Sequence, residues 1–177
     1  LGDVYKRQAV YTARERGNNP NEVIVDQGDP DYLERGASFE DGAPGFADFG
    51  ELEFGVNPFD AGGTRRFRDG SGDSVEWSPA IPESGYFPIY VSWDSDLSNS
   101  PSAHYRITHK GGVINRYYDQ RVHGSTWQYV ETLWLEAGHS LSIELVADGG
   151  TSKWLSADAV RVGGGMGTVM RSGMTSG

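Results

Sequence analysis

Cysteine is absent from all 177 residues, which excludes a disulfide framework and every thiolate metal or redox site while leaving the compartment open. No apolar run approaches the ~18 residues that a membrane-crossing helix needs, and helix-period runs are nearly missing. Basic residues are scarce: 15 Lys and Arg stand against 25 Asp and Glu, for a formal charge of −10 and a pI near 4.7. That balance argues against a nucleic-acid partner, whose phosphates are bound by clustered cations. Glycine (25), proline (8) and aromatic side chains (12%, with five Trp and nine Tyr) are plentiful in a chain of mean hydropathy −0.52. Many short strands joined by tight turns account for such a composition. An acidic, aromatic-rich surface of this kind suits a neutral polar ligand.

The length fits one domain with a proper core. Val4, Ala9, Val10 and Ala13 set among Lys6, Arg7, Arg14 and Arg16 predict a short helix over residues 1–17, ended by Gly17-Asn18-Asn19-Pro20. Residues 1–8 also resemble an adapter-derived stretch. The first residue is not Met and the last four are Met174-Thr175-Ser176-Gly177, so the chain reads as a fragment from which an export signal could have been lost.

Period-two patterns predict strands over 22–26, 51–55, 64–68, 73–79, 86–93, 103–109, 113–120, 127–135, 141–147 and 154–162. Residues 31–72 read as a long glycine-rich connection, either functional or packed by its own aromatics. In 86–93, Phe87, Ile89, Val91 and Trp93 share a face, and Pro88, which has no amide donor, places its position near an edge or the strand's start. In 127–135, Trp127, Tyr129, Leu133 and Leu135 oppose Val130 and Trp134. In 154–162, Asp158 shares a face with Trp154, Val160 and Val162, opposite Leu155, Ala157, Ala159 and Arg161. Burying that carboxylate requires donors, from backbone amides or a neighbouring Trp or Arg. These elements predict an all-β, antiparallel β-sandwich, jelly-roll-like, with a short N-terminal helix. The expected divisions are a helical tail over 1–20, the sandwich over 21–162 and a Gly-rich tail over 163–177.

Catalytic patterns are thin. His104 and His109 differ by five along one strand and so face opposite ways; with His123 and His139 they show no HExxH-type spacing. No GxSxG elbow is present, and 25 acidic residues bring carboxylates together by chance without the defined gap of a glycosidase. Asp69, Ser71 and Asp73 place oxygen ligands at alternate positions, as either a solvated acidic turn or a calcium loop without a trailing bidentate Glu. Sugar stacking needs exposed aromatics. Trp134, opposite Leu133 and Leu135, and the adjacent Tyr117 and Tyr118, one of which alternation turns outward, are the candidates.

A family resemblance spans about residues 22–162. Val25-Asp26-Gln27-Gly28-Asp29, Trp77-Ser78-Pro79-Ala80, Gly85-Tyr86 with Tyr90-Val91-Ser92-Trp93, Ala103-His104-Tyr105 with His109-Lys110-Gly111-Gly112, Asp119-Gln120, Trp127 and Ala157-Asp158-Ala159-Val160-Arg161 occur in an order that resembles the golvesin C-terminal-like domain. That family is also described as the xanthan-lyase carbohydrate-binding-like domain. The resemblance implies a non-catalytic β-sandwich module of an exported bacterial enzyme acting on polysaccharide or peptidoglycan. It marks Asp26, Trp77, Trp93, Asp119, Gln120, Trp127, Asp158 and Arg161 as signature positions of the fold. The trailing Gly163-Gly164-Gly165-Met166-Gly167 resembles the segment that follows this domain in proteins described as xanthan lyase or N-acetylmuramoyl-L-alanine amidase.

Two departures stand out, the long connection over 31–72 and Val130-Glu131-Thr132 where the family more often has Leu-Gly-Thr. The implied partners are a polysaccharide or peptidoglycan and the remainder of a parent amidase or lyase, outside the cell, in the periplasm or at the cell surface. The alternatives are a structural insertion without its own sugar site and an adhesion or protein-interaction sandwich.

Overall fold

The computed structural model describes residues 21–47 and 57–164. The helix expected over 1–17 and the strand expected over 51–55 lie outside the described residues, as do 165–177. Within them the regular structure is strand: β1 (Val23–Val25), β2 (Tyr32–Arg35), β3 (Glu40–Gly45), β4 (Gly62–Arg68), β5 (Ser74–Trp77), β6 (Gly85–Val91), β7 (Ala103–His109), β8 (Gly112–Tyr118), β9 (Gln128–Leu135), β10 (Ser142–Val146), β11 (Trp154–Ala157) and β12 (Val160–Val162). They pair into a four-stranded sheet, β1-β12-β6-β9, a five-stranded sheet, β2-β5-β10-β7-β8, and a three-stranded sheet, β11-β4-β3. Every ladder is antiparallel.

Alternation explains how the two larger sheets meet. Phe87, Ile89 and Val91 of β6 and Leu133 and Leu135 of β9 form one core with Tyr105 and Ile107 of β7, Ile143 and Leu145 of β10, and Val75 and Trp77 of β5. Burying each such side chain contributes about 1.5–3 kcal/mol, and the layers make a β-sandwich. A smaller cluster, Phe46, Phe59, Tyr90, Trp127 and Ala159, with Ile24 against it, lies apart from that core. Both faces of the four-stranded sheet are thereby covered around Tyr90.

Four sequence expectations change. The strand predicted over 154–162 is two strands: β11 pairs with β4 and β12 with β1 and β6, and the chain changes sheet at Asp158-Ala159. Face assignments made across that break do not hold, and Val160, Arg161 and Val162 are all buried. Second, the connection over 31–72 contains β2 and β3. Their sequences, YLER and EDGAPG, lack apolar alternation, and at the sheet margins they are held by ladder bonds on one side only. Pro44 is tolerated in β3 because that strand is an edge.

Third, β6 is internal to its sheet. Pro88 is accommodated because β12 stops short of it: Ile89 is the last residue of β6 in that ladder, and the Pro88 carbonyl accepts from Gly163 N at 2.9 Å. A strand residue's amide and carbonyl point the same way, so the missing donor faces chain that has already left the ladder. Fourth, the β6–β9 register shifts between Ile89 and Tyr90, where Glu131 and Tyr129 are the partners and Val130 is the extra residue. This bulge turns Tyr129 outward and Val130 inward, the reverse of simple alternation.

Candidate functional site

Outward aromatic side chains concentrate at one end of the β6–β9 ladder. Tyr86 and Trp134 are register partners there, while their neighbours Phe87, Leu133 and Leu135 fill the core. Period two therefore drives both rings to the outer face. Tyr86 is 73% exposed and Trp134 50% exposed. Their centroids lie 5.2 Å apart at an interplanar angle of 76°, so the two rings present surfaces at nearly right angles. Cross-strand aromatic pairs of this kind are worth roughly 0.5–1.5 kcal/mol and orient each other.

Just past β9 the polar groups begin. Glu136 follows Leu135 and pairs with Lys110 Nζ at 2.5 Å. Ser84 Oγ accepts from Ala137 N at 3.0 Å, tying the β6 entry to the β9 exit. A groove of about 420 Å³ lies where the β9–β10 connection reaches the outer face of the five-stranded sheet, lined by Ser78, His109, Lys110, Glu136, His139 and Ser142 among others, and neither Tyr86 nor Trp134 lines it. His139 Nδ1 donates to the Ser78 carbonyl at 2.8 Å, which leaves Nε2 as the ring's acceptor. Exposed rings can stack on an apolar sugar face, and the hydroxyl, imidazole, ammonium and carboxylate groups of the separate groove can hydrogen-bond sugar hydroxyls.

The other sequence candidates divide. Tyr117 is outward, but its ring lies on the His104 imidazole, 4.7 Å away and only 14° from parallel. That imidazole is itself fixed by Asp148 (2.8 Å) and Asn115 (2.7 Å). Tyr118 turns inward, packs on Trp93 and Tyr105, and donates to the Tyr129 carbonyl at 3.0 Å, leaving it half-buried. Tyr86 was not among the residues expected to stack on a sugar. The signal was present, since Tyr86 opposes Phe87, but its value depends on the register that sets it against Trp134.

Asp69, Ser71 and Asp73 do not converge. The Asp69 carboxylate, buried, accepts from Gly149 N (2.8 Å), Thr151 Oγ1 (2.8 Å) and Ser100 Oγ (3.3 Å), whereas that of Asp73 accepts from the amide and hydroxyl of Ser38. Ser71 Oγ accepts from Asp73 N at 3.1 Å. Protein donors occupy the Asp69 carboxylate and Asp73 bonds elsewhere, so this set of atoms fits poorly around calcium. No cluster of three or more His, Asp or Glu suited to a metal occurs among the described residues.

Most signature positions are buried and hydrogen-bonded. Trp77 donates to the Asp158 carbonyl at 3.3 Å and Trp93 to the Val122 carbonyl at 2.9 Å; Trp127 is buried against Phe46 and Phe59. Gln120 ties β11 to β7, donating to Tyr105 Oη (3.0 Å) and Ser156 O (2.9 Å) and accepting from Ser156 N (2.9 Å). Asp158 is 0% exposed. Its carboxylate accepts from Phe46 N at 2.9 Å and Ser92 Oγ at 2.7 Å, and any side chain at Gly45 would collide with it, a Cβ there lying 2.5 Å from Oδ1. Burial pushes its pKa up to about 7 in spite of those two donors.

Arg161 is also 0% exposed. Its guanidinium lies 4.1 Å from the Tyr90 ring centroid and 3.6 Å from Glu22; burial lowers its pKa, opposed by Glu22 and Tyr90. Asp26 and Asp119 instead organise surface turns. Asp26 N donates to Asp29 Oδ2 at 2.7 Å, and hydrogen bonds from the Arg121 side chain and backbone hold Asp119 at about 2.

Comparison with known proteins accords with this architecture. A xanthan lyase of Bacillus sp. (strain GL1) is 27% identical over 90 residues, which is 50% of this chain and 10% of that protein. The structure of a Paenibacillus xanthan lyase superposes with a TM-score of 0.67 at 24% identity, over 81% of this chain and 13% of that one. A family 35 carbohydrate binding module from Clostridium thermocellum superposes with a TM-score of 0.52 at 16% identity, over 79% of this chain and 97% of the module. At these identities the structural likenesses establish the fold, and the chain spans about a tenth of the curated relative it matches. Residues 62–164 match the family described as the Golvesin C-terminal domain, and the chain belongs to that family.

Proposed function

We propose that this chain is a non-catalytic, carbohydrate-binding accessory module of a larger exported bacterial enzyme, and that Tyr86 and Trp134 form its sugar platform. The observation that carries the reading is the cross-strand pair itself. A tyrosine 73% exposed and a tryptophan 50% exposed stand together on the outer face of the four-stranded sheet of a polar chain. Fold likeness to a carbohydrate binding module supports the same class of ligand. The platform takes a sugar ring by stacking. Tyr117, backed by His104, is a secondary contact. The module corresponds to residues 21–162 in a jelly-roll-like arrangement, and its parent acts on polysaccharide or on peptidoglycan, as a lyase or an amidase.

Calorimetric titration and affinity electrophoresis against xanthan, peptidoglycan and neutral plant polysaccharides test this. Trp134→Ala is expected to weaken binding by about 1–2 kcal/mol, roughly five- to thirty-fold. Its melting temperature should stay within a few degrees of the parent chain's, because the ring is outside the core. Trp134→Ala and Tyr86→Ala variants that both keep the parent chain's affinity for a glycan it binds would remove the platform. Failure to bind any of these glycans would favour a structural insertion that packs on the rest of its enzyme.

A further inference from the structure

Every lysine and arginine among the described residues has a carboxylate oxygen within 4.0 Å except Arg68 and Lys153. In a chain of formal charge −10 an acidic partner is easily found, so two cations without one are conspicuous, and they lie together. Lys153 directly precedes Trp154, and Trp154 is the register partner of Arg68 across β4 and β11. The Arg68 guanidinium lies 3.5 Å from the centroid of the Trp154 ring, and that of Arg66 lies 4.2 Å from it.

Arg68 makes one hydrogen bond, Nη1 to the Ser152 carbonyl at 3.1 Å. Its other N–H groups have no acceptor among the described residues. Arg66 reaches Glu40 only at 3.4 Å, with Glu40 half exposed, and its buried Nε has no partner. Asp96, the other carboxylate near Arg66, lies beyond ion-pair distance and accepts from Ser98.

From this arrangement we infer a second binding site, for an anionic group on a sugar, at Arg68 and Lys153 on the outer face of the three-stranded sheet. The class of ligand rests on the carbohydrate reading above; the site does not, since the sugar platform is on the four-stranded sheet. A guanidinium held against an indole is oriented before the ligand arrives, and its fork matches a carboxylate or a sulfate through paired N–H groups. Lys153 adds a flexible point charge at the rim. Uronate and sulfate ester share this chemistry.

The test compares affinities of the whole chain for polygalacturonate, for its carboxyl-reduced form and for a sulfated galactan, at low and at physiological salt. The acid polymer is expected to bind about ten-fold more tightly than its carboxyl-reduced form, with the advantage shrinking as salt rises. Arg68→Ala should bring that ratio close to one. Lys153→Gln, at an exposed position that does not threaten folding, should cut it several-fold. Trp134→Ala should weaken both polymers and leave the ratio intact.

A stronger preference for the sulfated galactan, abolished by Arg68→Ala, would support the site with sulfate as its anion. A ratio near one in the parent chain would overturn the anionic site while leaving the sugar platform standing. A ratio unchanged in both the Arg68 and Lys153 variants would also overturn it, with Arg68 then serving only to pack on Trp154. Failure to bind any of the three polymers would overturn the anionic site and leave the sugar platform to the titrations with xanthan, peptidoglycan and neutral polysaccharides.

Discussion

At pH 5, Asp158→Ala is expected to destabilise the fold by about 2–4 kcal/mol, read as a shift of the urea midpoint at constant slope. The substitution strands the buried Phe46 amide, whose acceptor is Asp158 Oδ1, at a cost of about 1–3 kcal/mol, and leaves a small hole beside Gly45. Ser92 keeps the Ala159 carbonyl as an acceptor at 3.2 Å, so its hydroxyl adds little. Asp158→Asn preserves the shape and separates hydrogen bonding from charge. In the parent chain the Asp158 carboxyl is raised from 3.8 to about 7 by burial. The folded state therefore holds a proton that the unfolded chain releases above about pH 4.

With the folded pKa above the unfolded one, this group's contribution is fully present below about pH 4 and is lost as the pH rises through about 7. The total is on the order of 4 kcal/mol. Stability should accordingly fall from pH 5 to pH 8 in the parent chain, and that fall should flatten in Asp158→Asn. Glu76 and Asp119, both lowered, act only in more acidic solution and leave this window clear. An identical pH dependence in the two proteins would remove Asp158 as its source.

Arg161→Met should be at least as damaging. The methionine fills part of the arginine's volume against Tyr90 but removes the cation 3.6 Å from a Glu22 side chain that is 2% exposed. Taking one partner from a buried ion pair costs about 3–5 kcal/mol. Because Glu22 immediately precedes β1 and Arg161 lies in β12, the loss should appear locally as faster amide exchange over Val23–Val25 before global unfolding. The double variant Glu22→Gln with Arg161→Met should recover a good part of the stability, since it removes the buried carboxylate as well. An additive double variant would show that the two side chains do not act as a pair.

What could be read from the chain beforehand follows from how completely each strand is flanked. The strands from β5 to β10 lie between or against apolar layers, and their period-two patterns, such as Phe87, Ile89 and Val91, were visible at once. β2 and β3 sit at sheet edges, where exposed Leu33 points outward and Pro44 is tolerated, and periodicity has little to say there. The change of sheet at Asp158 was hidden because the residues on both sides of it are buried, which reads as one uninterrupted apolar strand.

The site was half legible for the same reason. Alternation alone put Trp134 outside, but Tyr86 became its partner only through register. Tyr129 was misplaced by a one-residue bulge at Val130. The isolation of Arg68 and Lys153 could not be read at all, because it consists in what every other described cation finds in space.

Five tryptophans make the central claim directly measurable. In a ¹⁵N-labelled chain titrated with a bound glycan, the indole N–H signal of Trp134 should move with saturation, while those of Trp77, Trp93 and Trp127, all buried, stay in place. Movement of Trp154 as well would accompany an anionic polymer and no neutral one. Saturating binding that leaves the Trp134 signal and the Tyr86 ring unmoved would contradict the account.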